Sequence, residues 1–375
     1  ILFSKSTLFA NSNTNISFQG DIQPILDNRC VVCHSCYNSP CQLKLSSFEG
    51  LKRGATKKEI YENRIKPASP SRLFIDATSK EEWEKLGFYS ILKNYDNNNI
   101  MSKLLEHKQK NPQNIGNYAP ETDDLQCSKD MDELNKYLKK NPNHGMPYGF
   151  PPINKKEHKL LTTWLKGDII DDRKKSKTKS KLIKEFEEFL NNQDIKHQVT
   201  ARYIYEHLFL AHIKFEDDDS FYSLVRSYNK NGSNVVKTRV PYGKPKKEFY
   251  YKFKRIKSTI VHKTHMVYNL DKKKLQRYKE LFIDKKWLEK PYMPSYNSKI
   301  ASNALTAFKQ IPLNSRYLFM LDNIHYFIMT YIRGPVCKGQ VALNVINDHF
   351  WVAFKKPEYD YTIKDEDFIN NNLKN

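Results

Sequence analysis

Cys30-Val31-Val32-Cys33-His34 spells C-x-x-C-H, and the reading of the whole chain turns on it. Two thiols separated by two residues reach neighbouring edges of one macrocycle, and the next imidazole folds beneath the metal at its centre. That is the attachment chemistry of a c-type haem: Cys30 and Cys33 carry the covalent links and His34 is the proximal iron ligand. A zinc half-site needs a second ligand pair at matching spacing, and none follows. A redox dithiol of the thioredoxin kind sits in a βαβ pattern, and this stretch does not read that way. Just upstream, Ile22, Ile25 and Leu26 form an amphipathic turn that predicts a short helix delivering Cys30.

Downstream, Ser46–Gly50 reads as loop, Lys57–Arg64 and Ile100–Glu106 as helices, and 108–124, rich in Asn, Pro and Gln, as loop. After His144-Gly-Met-Pro, Asn154 starts a helix whose Leu160, Leu161, Trp164 and Leu165 share one face before Gly167 ends it. This layout resembles bacterial c-type cytochrome domains, which are all-α with N- and C-terminal helices packed together. That resemblance implies Met146 as the distal, sixth ligand of the iron, a soft thioether that favours the ferrous state. His144, His107 and an open or water-bound position are alternatives, and Met146 also suits a plain loop residue.

Residues 173–180, within the basic run Asp172–Lys184, predict a linker. The expected architecture is therefore mainly α: an all-α cytochrome c-like haem-binding domain (16–172), the linker, and an α+β domain (181–375). In the last part Phe186–Leu190, Ala201–Phe215, Lys272–Phe282, Asn303–Lys309 and Tyr317–Ile332 read as helices. Tyr250–Phe253 and Thr259–Tyr268 alternate as strands do, and Gln340–Phe354 suits a helix or a buried strand.

At 375 residues and 39% hydrophobic content the chain is globular. Its net charge of +21 comes mostly from Lys, within a general enrichment in Asn, Ile and Tyr. The remaining excess favours anionic membrane surfaces or acidic partners. No nucleic-acid-binding pattern accompanies it. The opening ILFSKSTLFA is apolar, too short to span a membrane, and suits the tail of an export signal. Covalent haem attachment implies an oxidising compartment outside the cytoplasm. There Cys36, Cys41, Cys127 and Cys337 allow three disulfide pairings, with Cys36–Cys41 the local one.

Three stretches extend the reading: Cys30–Leu45, Tyr203-Ile-Tyr-Glu-His-Leu-Phe-Leu-Ala-His, and Ile332-Arg-Gly-Pro-Val-Cys-Lys-Gly-Gln-Val-Ala-Leu-Asn-Val-Ile-Asn-Asp-His-Phe-Trp. Together they resemble the bacterial fatty acid cis/trans isomerases, whose members are longer, so the chain reads as their N-terminal portion. The resemblance implies a periplasmic haem c enzyme that turns cis unsaturated acyl chains of membrane lipids trans without moving the double bond. Such a change stiffens the membrane under stress. It further implies one covalent haem installed by cytochrome c maturation machinery, with unsaturated fatty acids or phospholipid acyl chains as substrate and peripheral contact with an anionic membrane. The catalytic expectation rests on His34 through the iron, with Glu206, His207 and Arg333.

Each of these residues has a plainer reading as well. Glu206, His207 and His212 either line the haem edge, bind a headgroup, or are satisfied polar groups at an interface. Arg333 either pairs with a carboxylate or phosphate, or forms a structural ion pair with Asp348. The apolar stretch Leu318–Ile332 either walls an acyl tunnel or faces a core. The first domain alone also suits an electron-transfer cytochrome or a haem-based sensor. The family-like stretches of the second domain favour the isomerase.

Overall fold

The computed structural model describes residues 16–35, 39–59, 69–112, 125–173, 180–261 and 267–333, with 353, 356 and 359 beyond them. A π-helical turn, Phe18–Ile22, runs into α1 (Gln23–Arg29), and the short helices α2 (Phe48–Arg53) and α3 (Lys80–Lys85) follow. Then come α4 (Ile100–Lys110), α5 (Met131–Lys140), α6 (Lys155–Lys166), α7 (Lys181–Leu190) and α8 (Ile195–His207). Strands β1 (His212–Phe215), β2 (Phe221–Ser227), β3 (Tyr250–Ile256) and β4 (Val267–Leu270) precede α9 (Lys272–Tyr278), which continues as a π turn, Lys279–Ile283. The described helices end with α10 (Ser298–Ala301), α11 (Ala304–Ala307), α12 (Leu313–Leu321) and α13 (Ile324–Arg333).

The chain forms two compact units, one from residues 1–30 and 90–175, the other from 31–89 and 176–375. The first is helical. Asn154 caps α6 by accepting from the Glu157 N–H at 2.9 Å, and Leu161, Trp164 and Leu165 give that helix its buried face. Trp164 meets Phe18 with ring centroids 5.6 Å apart, and Arg29 and Glu157 pair at 3.0 Å. The Asn99 amide donates to the Leu165 carbonyl at 2.8 Å and ties α4 to α6.

The second unit is built on a four-stranded sheet in the order β3-β2-β1-β4, antiparallel except for β1 with β4. Alternation sends Ile213, Phe215, Tyr222, Leu224, Tyr268 and Leu270 into one core. Leu182, Ile183, Phe186, Phe189 and Leu190 recur at helical spacing on α7 and bury against the same core. Phe215 collects the rings of Phe186, Phe253 and Tyr222 at 4.9–5.8 Å.

The expected fold class does not hold. The protein is a mixed α/β protein with a mixed sheet, not a mainly α chain that opens with an all-α cytochrome c-like domain. Residues 31–89, which follow the first motif cysteine, carry only short helices among the described residues, and their partners lie in the sheet-bearing unit. Ser46 accepts from the Thr259 N–H at 2.7 Å, Arg72 donates to the Thr238 carbonyl at 2.5 Å, and Glu82 pairs with Lys237. The expected helix Ala201–Phe215 also divides, because the chain leaves α8 at Leu208 and His212–Phe215 is captured as β1 between β2 and β4.

Candidate functional site

α1 ends at Cys30, whose N–H bonds the Leu26 carbonyl at 2.8 Å, so the predicted helix does deliver the motif. Four residues on, the His34 Nδ1 lies 3.1 Å from the Leu43 carbonyl. A carbonyl only accepts, so Nδ1 carries the proton and Nε2 keeps the lone pair. Burial also lowers the His34 pKa, partly offset by the bond to Leu43, which favours the neutral ring that a metal requires. The Leu45 N–H donates to the His34 carbonyl at 2.7 Å, so residues 43–45 hold both the ring and the backbone of His34.

Leu43 is aimed by a constrained turn. Cys41 and Gln42 stand at φ 51° and 49°, left-handed conformations that cost a non-glycine residue about 1–2 kcal/mol each. Cys41 is disulfide-bonded, its carbonyl accepts from the Thr56 N–H, and the Ser39 hydroxyl donates to the Leu43 carbonyl at 2.8 Å. α2 closes on this turn through Gly50. A Cβ there would lie 2.3 Å from the Lys44 carbonyl oxygen, so only glycine permits the approach.

Cys30 and Cys33 form no disulfide, whereas Cys41 and Cys127 are both disulfide-bonded. Cys36 and Cys337 lie outside the described residues. Burial pushes the Cys33 thiol up, the opposite of what a reactive redox dithiol needs. Among the described residues no cluster of three or more His, Cys, Asp or Glu side chains is arranged to hold a metal ion. Two thiols and one imidazole whose Nε2 keeps its lone pair would fit a metal whose other ligands arrive with a macrocycle.

Met146, in the other unit, is half-buried, and its N–H donates to the Leu104 carbonyl at 3.2 Å. His107 Nε2 donates to the Pro142 carbonyl at 2.7 Å, and His144 Nδ1 lies 2.6 Å from the Tyr137 hydroxyl.

Glu206 and His207 are both on α8. Glu206 pairs with Arg202 at 2.7 Å, and Arg202 also donates to the Pro294 and Ser295 carbonyls and stacks 3.8 Å from the Tyr296 ring centroid. Burial raises the Glu206 carboxyl, with Arg202 pulling the other way. His207 donates from Nδ1 to the Tyr203 carbonyl at 2.8 Å, among the rings of Tyr203, Phe319 and Phe327, and burial lowers it to about 4. His212 opens β1. Arg333 ends α13, and Asp348 lies outside the described residues. The expected apolar helix is interrupted at Asp322–Asn323, and Phe319 and Tyr326 face the core.

Composition and periodicity gave no signal for Arg202, Arg53 or the Leu43 carbonyl, because their partners are mostly backbone carbonyls and rings that only the fold brings to them. A family model described as fatty acid cis/trans isomerase (CTI) matches residues 68–375. The chain belongs to the fatty acid cis/trans isomerase family. The isomerase thus acts on unsaturated fatty acyl chains. The matched region takes in Glu206, His207, Arg333 and Met146, and the C-x-x-C-H motif precedes it. No curated protein and no solved structure matches the chain.

Proposed function

We propose that this isomerase works through a haem c held by Cys30, Cys33 and His34, converting cis acyl chains of membrane lipids to trans in the periplasm without moving the double bond. The observation that carries the reading is the fixed tautomer of His34, with Nδ1–H committed to Leu43, in a motif whose two cysteines form no disulfide. Rotation about C=C is blocked by the π bond, and the haem, when bound, supplies an iron centre that draws electron density from the alkene. The chain's own residues anchor and orient. The Leu43 carbonyl makes His34 a stronger donor and fixes its plane. Met146 would supply a soft thioether to the iron, and Arg333 would engage the acid carboxylate or phosphate. Glu206 and His207, both half-buried, hold α8 to its neighbours through Arg202 and the surrounding rings.

The disulfide-bonded Cys41 and Cys127 support an oxidising compartment, where cytochrome c maturation machinery would attach the haem. Peripheral membrane contact is supported by exposed Leu288, Tyr292, Met293, Ile300 and Leu305, set among Lys285, Lys286, Lys290 and Lys299. Trans chains pack straighter than cis chains, so the product stiffens the bilayer under stress.

Expression with haem maturation in a bacterial periplasm, followed by gas chromatography of membrane fatty acids, tests this. The trans/cis ratio should rise with the wild-type chain and stay at background with Cys30→Ala/Cys33→Ala. An equal rise in both would exclude the haem.

A further inference from the structure

Arg53 is 4% exposed, yet among the described residues no carboxylate pairs with it. Its guanidinium donates to the Ser71 and Gln42 carbonyls and lies 4.4 Å from the Phe88 and 5.2 Å from the Trp83 ring centroids. Its Nε is buried without a partner, as are the Ser71 hydroxyl and the Gln42 amide oxygen on either side. A buried guanidinium left this way is costly unless an anion completes it.

Lys44 adds a second cation. It directly follows Leu43, the residue that holds His34, and packs against Gly50, three residues before Arg53 on α2. Burial first, and then the Arg53 charge, lower the Lys44 ammonium to about 7, while burial lowers Arg53 itself to about 9. The carboxylate acting on both is Asp76, and Arg72 already holds it through Nη2 at 2.7 Å and Nε at 3.2 Å. Lys44, Arg53 and Arg72 against Asp76 alone leave a surplus of two positive charges, and Lys44 adjoins the residue whose carbonyl holds the proximal histidine.

We infer that Lys44 and Arg53 bind the two propionate carboxylates of the haem, with Arg53 Nε–H and the Ser71 hydroxyl as donors. The inference rests on the haem reading of Cys30–His34. A haem c presents two carboxylates on the edge of a macrocycle whose centre lies at His34, matching the surplus in sign, number and chain position. A guanidinium whose Nε–H is unspent suits a carboxylate oxygen in particular.

The test is the midpoint potential of the matured full chain, by spectroelectrochemistry, for wild type, Lys44→Gln, Arg53→Gln and the control Lys52→Gln, an exposed lysine on the same helix. Removing a cation beside a propionate favours the ferric state, so the potential should fall in the first two variants and hold in the control. In those two it should also gain a steeper pH dependence as the propionate titrates. A purely structural role predicts lower yield with an unmoved potential. If Arg53→Gln does not fold, the half-buried Lys44 variant still decides. Wild type without haem mass added to the chain overturns both readings. Haem attached with potentials equal to the control overturns this inference alone. So does an unmoved potential with a raised KM for a free cis-monounsaturated fatty acid, which would assign the cluster to the substrate carboxylate.

Discussion

His207 shows how a half-buried ring among aromatic neighbours acquires a pH signature. Its proton sits on Nδ1 against the Tyr203 carbonyl, and surrounding rings exclude the water that would solvate a second proton. The folded pKa, about 4, is depressed below the ordinary 6.5. The unfolded chain therefore binds the extra proton first, and the stability tied to the neutral ring is complete above pH 6.5 and lost as pH falls through 4. The shift sets an upper bound of about 3 kcal/mol, at 1.36 kcal/mol per unit. Urea denaturation at pH 7 and pH 4.5 should show His207→Phe losing less stability on acidification than wild type. An identical loss in both would mean the ring is not buried neutral. At this scale the sequence singled out His34, since C-x-x-C-H is a local covalent code, and the fold adds its bond to the Leu43 carbonyl. The sequence was silent on Leu43 and Arg53, whose roles arise only when the Cys41–Gln42 turn and Gly50 bring them together.

Elements with strong local signals were legible at their starts and caps, although α4 runs on to Lys110 past the expected end at Glu106. Asn154 and Gly167 bound α6 as capping chemistry predicts, and Ile100 opens α4. Ser46–Gly50 read as loop because glycine and serine dominate it, yet Ser47 caps α2 by accepting from the Gly50 N–H at 3.0 Å. β1 was hidden for a different reason. Four residues carry little period of their own, and pairing with β2 and β4 decides their state. The contact between α4 and the Met146 loop is another tertiary feature with a sharp consequence. A Cβ on Gly145 would come within 2.7 Å of the Lys108 nitrogen and 2.9 Å of its Cα, backbone atoms inside a helix that cannot yield. Gly145→Ala should cost about 1–3 kcal/mol by overpacking and displace the loop. Gly167→Ala, whose Cβ would meet its nearest atom at 3.4 Å, should cost less. If Met146 is the distal ligand, the near-infrared thioether band of the ferric haem should weaken in Gly145→Ala and vanish in Met146→Ala. A band that survives in Met146→Ala would remove the thioether from the iron.

Across the whole molecule, charge and exposed apolar surface point to the same partner. A net +21 is attractive to any anionic surface, but it does not say which face makes contact. In the proposed membrane contact, the stretch 285–305 would supply that face. Leu288 is 97% exposed, and four further large apolar side chains follow it among lysines, a pattern that loses less by entering a lipid interface than by staying in water. Burying one such leucine contributes about 1.5–3 kcal/mol. Each nearby lysine adds about 1 kcal/mol at an anionic surface, an attraction confined to about 8 Å at physiological ionic strength. Among the described residues no helix is long and apolar enough to cross a membrane, so contact by these residues would lie in the interface plane. Co-sedimentation with vesicles containing anionic phospholipid should capture the protein, weaken as salt rises, and weaken further in Leu288→Asp. Lys285→Gln/Lys286→Gln should reduce capture at low salt and leave the residual high-salt binding unchanged, because the apolar and electrostatic contributions separate there. Equal capture by neutral and anionic vesicles, or no effect of Leu288→Asp, would place the membrane-facing surface elsewhere on the chain.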